Sequence, residues 1–260
     1  MDILLDPDAH PVIAHRGASG YAPENTLAAF QLAVDQGADA LEFDVHISVD
    51  GVPVVIHDPT LDRTTDRSGA VANLPYSAIR AADAGARWTS DEGRSFPWRG
   101  RRVFVPTLDD VVSAFPGIPL VIEIKTRHAQ DVVQSVLGKH GAIKRCIVAA
   151  SEVAALDQFD VAYWSLGAAQ QEIGRLKFPL LYGKRADSVR YRGLFVPEWY
   201  WGLPVPTRSF VRAARAMNCP VHVWTVNNPS AARRLWGRGV AGIITNYPPV
   251  MLAERETIFG

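Results

Sequence analysis

Two carboxylates stand two residues apart in an apolar run, Ala40-Leu41-Glu42-Phe43-Asp44-Val45. If that run is a strand, Glu42 and Asp44 point to one face while Leu41, Phe43 and Val45 point to the other. Residues 120–125 repeat the pattern, with Glu123 and Lys125 on one face and Ile122 and Ile124 on the opposite one. Carboxylates turned toward a protein interior are costly unless a cation neutralises them. Glu42, Asp44 and Glu123 together make an oxygen-rich set suited to a divalent cation, Mg²⁺ or Ca²⁺, rather than Zn²⁺. The competing reading is an internal ion pair such as Glu42 with Lys125.

The run Val12-Ile13-Ala14 leads into His15-Arg16-Gly17. Arg16 can grip a phosphate through two parallel hydrogen bonds, and Gly17 allows a tight turn. His57, followed by Asp58, ends another alternating run. Two histidines, a cation site and two basic side chains suggest acid–base cleavage of a phosphodiester. His46 shares the parity of Glu42 and Asp44, and His222 that of Trp224, so both are candidates to line the same site. His10, His128 and His140 read as structural. Residues 197–204 read Pro-Glu-Trp-Tyr-Trp-Gly-Leu-Pro. Trp199, Tyr200 and Trp201 cannot all face one side of a strand, which suggests a loop. Such a loop could wall an acyl chain, stack on a choline-like headgroup, or pack against a neighbouring segment. Glu198 stands beside them, where it could meet a cationic headgroup.

The elements that must carry these residues alternate. Short apolar runs occur at 12–15, 40–45, 120–125, 146–150, 161–166, 193–197, 221–226 and 242–246. Helical stretches lie between most of them. Leu27, Phe30 and Val34 mark one, closed by Gly37. Thr107 with Asp110 caps another before Val111, Val112 and Phe115, and Pro116 stops it. Thr207 opens a helix carrying Val211, Ala214 and Met217. Asn228-Pro229 caps one leading to Leu235 and Trp236. Alternating strand and helix predicts a parallel sheet, and eight strands predict a closed α/β barrel of TIM (β/α)8 type. Asp50-Gly51, between two alternating runs, signals a two-residue hairpin, so 53–57 should return antiparallel after the second strand. Residues 58–106 read as a loop-and-helix insertion on the same face, a candidate lid within a single domain spanning 1–260.

Composition narrows the classes further. The chain has 260 residues, 48% hydrophobic and 21% charged, as expected of a folded globule. Lys plus Arg and Asp plus Glu both number 27, so no bulk positive charge recommends nucleic acid as a partner. Cys146 and Cys219 are too few for a disulfide scaffold and read as buried hydrophobes. The N-terminal residues lack a basic and an apolar signal region, and no apolar run approaches a membrane span, so a cytoplasmic location is the expectation. Oligomeric state is not legible.

The run His15-Arg16-Gly17-Ala18-Ser19-Gly20-Tyr21-Ala22-Pro23-Glu24-Asn25-Thr26 resembles the opening motif of the glycerophosphodiester phosphodiesterase family, a group of phospholipase-C-like barrels. Leu41-Glu42-Phe43-Asp44-Val45, Asp50-Gly51 through His57-Asp58, and Leu61-Asp62-Arg63-Thr64-Thr65 are similar to its next motifs. Pro106-Thr107-Leu108, Glu123-Ile124-Lys125 and Trp224-Thr225-Val226-Asn227 follow in the family's order. The resemblance runs from His10 to Pro249, and the joint match is specific where any one motif would be weak. It implies a TIM barrel that hydrolyses glycerophosphodiesters to glycerol 3-phosphate and an alcohol. It implies a divalent metal on Glu42, Asp44 and Glu123, and His15 and His57 as the acid–base pair. Arg16 and Lys125 would hold the phosphate, and Trp224 would pack in the barrel mouth. The family often has Asp where this chain has Asn246, which leaves no role assigned there. Glycerophosphocholine-like and glycerophosphoethanolamine-like diesters are the expected small-molecule substrates. The alternatives are cleavage of lysophospholipids, of lysophospholipase D type or with release of a cyclic phosphate, and a non-catalytic phosphodiester binder.

Overall fold

The protein is described by a computed structural model covering residues 3–174 and 189–260. Its strands are β1 (Val12–His15), β2 (Ala40–Ile47), β3 (Pro53–Val55), β4 (Leu120–Ile124), β5 (Cys146–Ala149), β6 (Ser165–Leu166), β7 (Leu194–Pro197), β8 (Trp199–Tyr200), β9 (Leu203–Pro204), β10 (Val221–Trp224) and β11 (Gly242–Thr245). Eight of them run parallel in the order β6-β5-β4-β2-β1-β11-β10-β7. The two ends of this series meet. Gly167 bridges Gly193 in parallel, and Arg192 N donates to Leu166 O at 2.8 Å. The sheet therefore closes into the expected (β/α)8 barrel. The seam needs Gly167: a Cβ there would stand 2.9 Å from Ala149 Cβ and 3.0 Å from the Phe195 ring.

The helices are α1 (Leu27–Asp35), α2 (Tyr76–Arg80), α3 (Leu108–Ala114), α4 (Gln130–Lys139), α5 (Arg208–Ala216), α6 (Pro229–Trp236) and α7 (Pro248–Phe259). The caps predicted at Thr107, Thr207 and Asn228 form, and Thr26 caps the first helix as well. Thr26 accepts from Ala29 N, Thr107 and Asp110 make a reciprocal capping box, Thr207 accepts from Phe210 N, and Asn228 accepts from Ser230 N ahead of Pro229. In α1 the buried stripe is Ala29, Phe30 and Ala33. The predicted Leu27 is exposed, because it begins the helix at the rim, ahead of the turn that meets the sheet.

Strand parity sorts the side chains as the alternation requires. Leu41, Phe43, Val45, Ile122 and Ile124 face the helices in one large cluster, and Val221, Val223 and Ile243 join another on the other side of the barrel. Inward, Ile13, Ala40, Val121, Ile147 and Ile244 pack with Leu4 as a floor. His222 belongs to this floor. It is wholly buried, Nε2 lies 2.9 Å from Leu4 O, and its ring stacks 5.1 Å from that of Phe195.

Two sequence expectations about the strands need correction. The strand predicted over 161–166 is only Ser165–Leu166. Asp160 Oδ1 accepts from Ala162 N and Asp160 O from Trp164 N, which turns the chain before it can extend. The β2–β3 hairpin is antiparallel as predicted, with Val45 opposite Val55 and Ile47 opposite Pro53. Its loop is longer than two residues, because Ser48 N donates to Val52 O and Val52 N to Ser48 Oγ. Asp50 then accepts from Tyr76 N, tying the hairpin to α2. Residues 58–106 contain α2 and, with β3, build a small core of their own around Val54, Leu61, Val71, Ile79 and Val105. Trp88 and Trp98 donate to Ser19 O and Tyr21 O, fastening this segment to the loop after β1. Cys146 and Cys219 are buried, and burial pushes the Cys219 thiol up to about 11. Among the described residues no helix is long and apolar enough to cross a membrane.

The floor carries a stability prediction. Burial lowers the pKa of His222 from 6.5 to about 4. The unfolded chain takes up the proton first, so the neutral ring's contribution is present above pH 6.5 and lost as pH falls toward 4. The shift corresponds to about 3 kcal/mol, at about 1.4 kcal/mol per unit. Denaturant unfolding measured at pH 7 and pH 4 should show His222→Gln losing about that much less stability across the window. An equal loss in both proteins would contradict a buried neutral ring.

Candidate active site

Strand register brings the acidic residues together. His15 of β1 pairs with Glu42 of β2, and Asp44 of β2 pairs with Glu123 of β4. One oxygen from each of Glu42, Asp44 and Glu123 lies within 4.8 Å of the others. Glu42 is 7% exposed and Asp44 1%. Lys125 Nζ sits 2.8 Å from Asp44 Oδ1 and 2.9 Å from Glu123 Oε2, so the lysine neutralises those two and not Glu42. Arg16 Nε approaches Asp44 Oδ2 at 3.2 Å without the alignment of a hydrogen bond. Asn25 Nδ2 donates to Asp44, and Ser151 Oγ to Glu123.

The charges are unequal. Burial, then the nearby Asp44 charge, holds the Glu42 carboxyl well above its usual range. Burial would raise Asp44 too, but Lys125 and Arg16 outweigh it and hold it low. The same attraction keeps Lys125 protonated against its burial. Around the site, Arg16, Arg63 and Lys125 face Glu24, Glu42, Asp44, Asp58 and Glu123. With every carboxylate ionised and the histidines neutral, negative charge exceeds positive by two, a divalent deficit. The donor set, all oxygen and convergent, fits a hard divalent cation.

The first loop is built for close approach. Arg16 has φ 55° and Gly17 φ 80°. A Cβ on Gly17 would stand 2.6 Å from the backbone of Ala29, so only glycine lets α1 pack this near the β1 end. Arg16 N donates to Glu42 O and, at 3.1 Å, to Glu42 Oε2. From Arg16 an ion-pair chain runs around the rim. Arg16 Nη1 meets Glu24 at 2.8 Å, Arg63 grips Glu24 with two nitrogens, and Arg63 Nε meets Asp58 at 2.7 Å. Asp58 Oδ1 lies 2.6 Å from His57 Nδ1. The Arg63 hydrogen bonds, with His57 adding, hold the Asp58 carboxyl well below the usual carboxylate range.

On the other side, His15 Nδ1 lies 2.7 Å from Asn246 Oδ1. Asn246 is itself fixed, its N donating to Asn227 Oδ1 and its O accepting from Gly20 N. Burial, then the Arg16 charge, lowers the pKa of His15, which favours the neutral ring.

A cavity of about 230 Å³ is lined by His15, Arg16, Glu42, Asp44, His57, Glu123, Lys125 and Trp224, with Val121, Ala149, Ser151, Phe195 and Ile244 completing its wall. The eight residues to which the resemblance assigns catalysis, substrate or metal all line that wall. His46 and His222 do not. His46 Nε2 lies 3.1 Å from His57 O and so props the strand end that carries His57. His222 is two residues below Trp224 and lies in the floor. Glu198 is taken by Arg234 at 2.5 Å and is not free for a headgroup. Sequence reasoning gave no role to Glu24, Asn25, Asp58, Arg63, Ser151 or Asn246. The first four lie inside the runs 15–26 and 57–65, and their place in the motifs that carry the family resemblance was the available signal.

The sequence profile of the Glycerophosphoryl diester phosphodiesterase family matches residues 15–250. The Bacillus subtilis (strain 168) protein YhdW is 35% identical, over 94% of this chain and 97% of that protein. A glycerophosphodiester phosphodiesterase of the same strain is 30% identical, over 94% of this chain and 86% of its own length. Among solved structures, an Oleispira antarctica phosphodiesterase in complex with the product sn-glycerol-3-phosphate is 26% identical, with a TM-score of 0.75 over 95% of this chain and 96% of that one.

The carboxylate cluster makes a prediction independent of turnover. Adding Mg²⁺ or Ca²⁺ should raise the melting temperature, and Glu42→Gln and Glu123→Gln should each abolish most of that rise. The affinity should increase with pH, because Glu42 must lose its proton to bind. Stabilisation that survives both substitutions would remove the carboxylates from cation binding.

Proposed function

The chain belongs to the glycerophosphoryl diester phosphodiesterase family, and we propose that it hydrolyses glycerophosphodiesters to glycerol 3-phosphate and an alcohol by metal-dependent, two-histidine acid–base catalysis. The observation that carries this reading is the convergence of His15 and His57 on one cavity with the Glu42–Asp44–Glu123 cluster. Similarity to the Oleispira antarctica enzyme, with its glycerol phosphate product, supports the choice of substrate.

Glu42, Asp44 and Glu123 would hold the divalent cation, Mg²⁺ or Ca²⁺. Its contribution when bound is to offset charge growing on the phosphoryl oxygens. Arg16 and Lys125 rest on carboxylates and line the same cavity, where they would hold the phosphate. Trp224, on the cavity wall, would flank the alcohol portion.

The two histidines have different surroundings, as acid–base work requires. Asn246 offers His15 a neutral amide oxygen, and burial beside Arg16 favours the uncharged ring. A ring whose Nδ1–H donates to Asn246 presents an unprotonated Nε2, so His15 is assigned as the base that takes the proton of the attacking hydroxyl. His57 has a carboxylate, Asp58, on Nδ1, held ionised by Arg63. That arrangement suits a proton donor, so His57 is assigned to protonate the leaving alcohol.

Phosphorus NMR with sn-glycero-3-phosphocholine tests the reading. A phosphomonoester should appear with Mg²⁺ or Ca²⁺ and not with chelator. His15→Ala and His57→Ala should each cost about 10²–10⁴ in kcat, the usual worth of a positioned acid or base, with cation-induced stabilisation retained. A diester with a p-nitrophenol leaving group, which departs without a proton, should restore much of the activity of His57→Ala and none of His15→Ala. The opposite pattern would exchange the roles. Near-wild-type turnover in either variant would remove that residue from the mechanism.

A further inference from the structure

Three of the seven tryptophans, Trp199, Trp201 and Trp224, are more than a third exposed, at 54%, 87% and 43%. All three leave the carboxyl ends of adjacent strands. Trp224 ends β10 and pairs in register with Pro197, which ends β7, and Trp199 and Trp201 follow two and four residues later. Trp224 is also on the wall of the catalytic cavity. The exposed apolar surface is thus continuous in chain and register with the cavity mouth.

Trp199 and Trp201 sit on a built element. β8 and β9 pair antiparallel, Trp199 opposite Pro204 and Tyr200 opposite Leu203, leaving only Trp201-Gly202 to turn. Both turn residues have positive φ, 53° and 74°, the pattern of a type I′ turn. Asn or Asp normally takes the first of these positions, because a bulky side chain is strained there. Here a tryptophan occupies it and points into solvent. Tyr200 and Leu203 are also exposed, at 47% and 59%. The hairpin is anchored at its base, where Val205 N donates to Glu198 O and Gln170 meets the Tyr200 hydroxyl.

The surroundings select the occupant. Residues 199–206 carry no charge, and Glu198 is neutralised by Arg234. The hairpin itself offers an anionic surface no cation, whereas tryptophan and tyrosine favour the boundary between apolar chains and water. We infer that the β8–β9 hairpin inserts into a zwitterionic lipid–water interface and presents the cavity mouth to phosphodiesters carrying an acyl chain, of lysophosphatidylcholine type. The substrate class rests on the proposed phosphodiesterase function; the insertion does not.

The test uses the full chain and two substitutions away from the catalytic wall. Trp201→Asn removes the tip while giving the turn its favoured Asn-Gly sequence, so folding should be retained or improved. Trp199→Ala is added to it. Sedimentation with phosphatidylcholine vesicles and the blue shift of tryptophan emission read insertion without turnover. The wild type should bind, and the double variant should lose at least tenfold in vesicle partitioning. Hydrolysis of soluble sn-glycero-3-phosphocholine should stay within twofold, while hydrolysis of micellar lysophosphatidylcholine should fall at least tenfold. No vesicle binding by the wild type, or equal binding by both proteins, overturns the insertion whatever the activity. Loss of glycerophosphocholine hydrolysis in the wild type would count against the function while leaving vesicle binding to stand or fall alone. A wild type that binds vesicles and cleaves the soluble diester but not the lysolipid overturns the substrate class. Equal falls on both substrates would mean that the hairpin serves the cavity itself, which also overturns it.

Discussion

Three carboxylates held inside a barrel set the terms for everything around them. Ionised groups with the burial of Asp44 and Glu42 would be expelled or neutralised if left alone. The strand register leaves them no escape, because Asp44 and Glu123 are paired across β2 and β4. The neighbouring residues are arranged to reduce that cost. Lys125 spans two of the acids, Asn25 donates to one, and Glu42 is left with backbone N–H donation from Arg16 and a raised pKa. A site so incompletely neutralised is one in which a divalent cation gains the most.

The same logic organises the histidines. Each is anchored through Nδ1 by a partner of different charge, Asn246 for His15 and Asp58 for His57. The chain Arg16–Glu24–Arg63–Asp58 links the two sides of the mouth, so the first loop and the segment after the hairpin are one electrostatic unit. The small core over 58–106 and the Trp88 and Trp98 bonds to the first loop give that unit a rigid backing.

Much of this was legible in the sequence because parity in a strand is unforgiving. Glu42 and Asp44, and Glu123 and Lys125, had to share faces once their runs were strands, and the helix caps at Thr107 and Asn228 announced their elements. Parity gives a face and not a depth, which is why His222 looked like a site residue and lies in the floor. The hairpin loop was misjudged because Ser48 captures Val52 N through its side chain, a local competition that Asp50-Gly51 does not reveal. The Trp199–Trp201 run looked like an irregular loop and is a hairpin, because Trp201 takes a turn position that its type disfavours. Glu24 and Arg63 are 39 residues apart, and no local pattern links them.

The most direct measurement of the central claim is a crystal structure grown with Mn²⁺ or Ca²⁺ and read by anomalous scattering. A single peak should stand about 2.1–2.6 Å from oxygens of Glu42, Asp44 and Glu123, the range for such ions on oxygen ligands, with Lys125 Nζ drawn away from at least one of its two carboxylates. An empty cluster at millimolar cation, with Lys125 still bridging Asp44 and Glu123, would mean that the lysine and arginine are the only charge balance the barrel requires. That result would contradict the account.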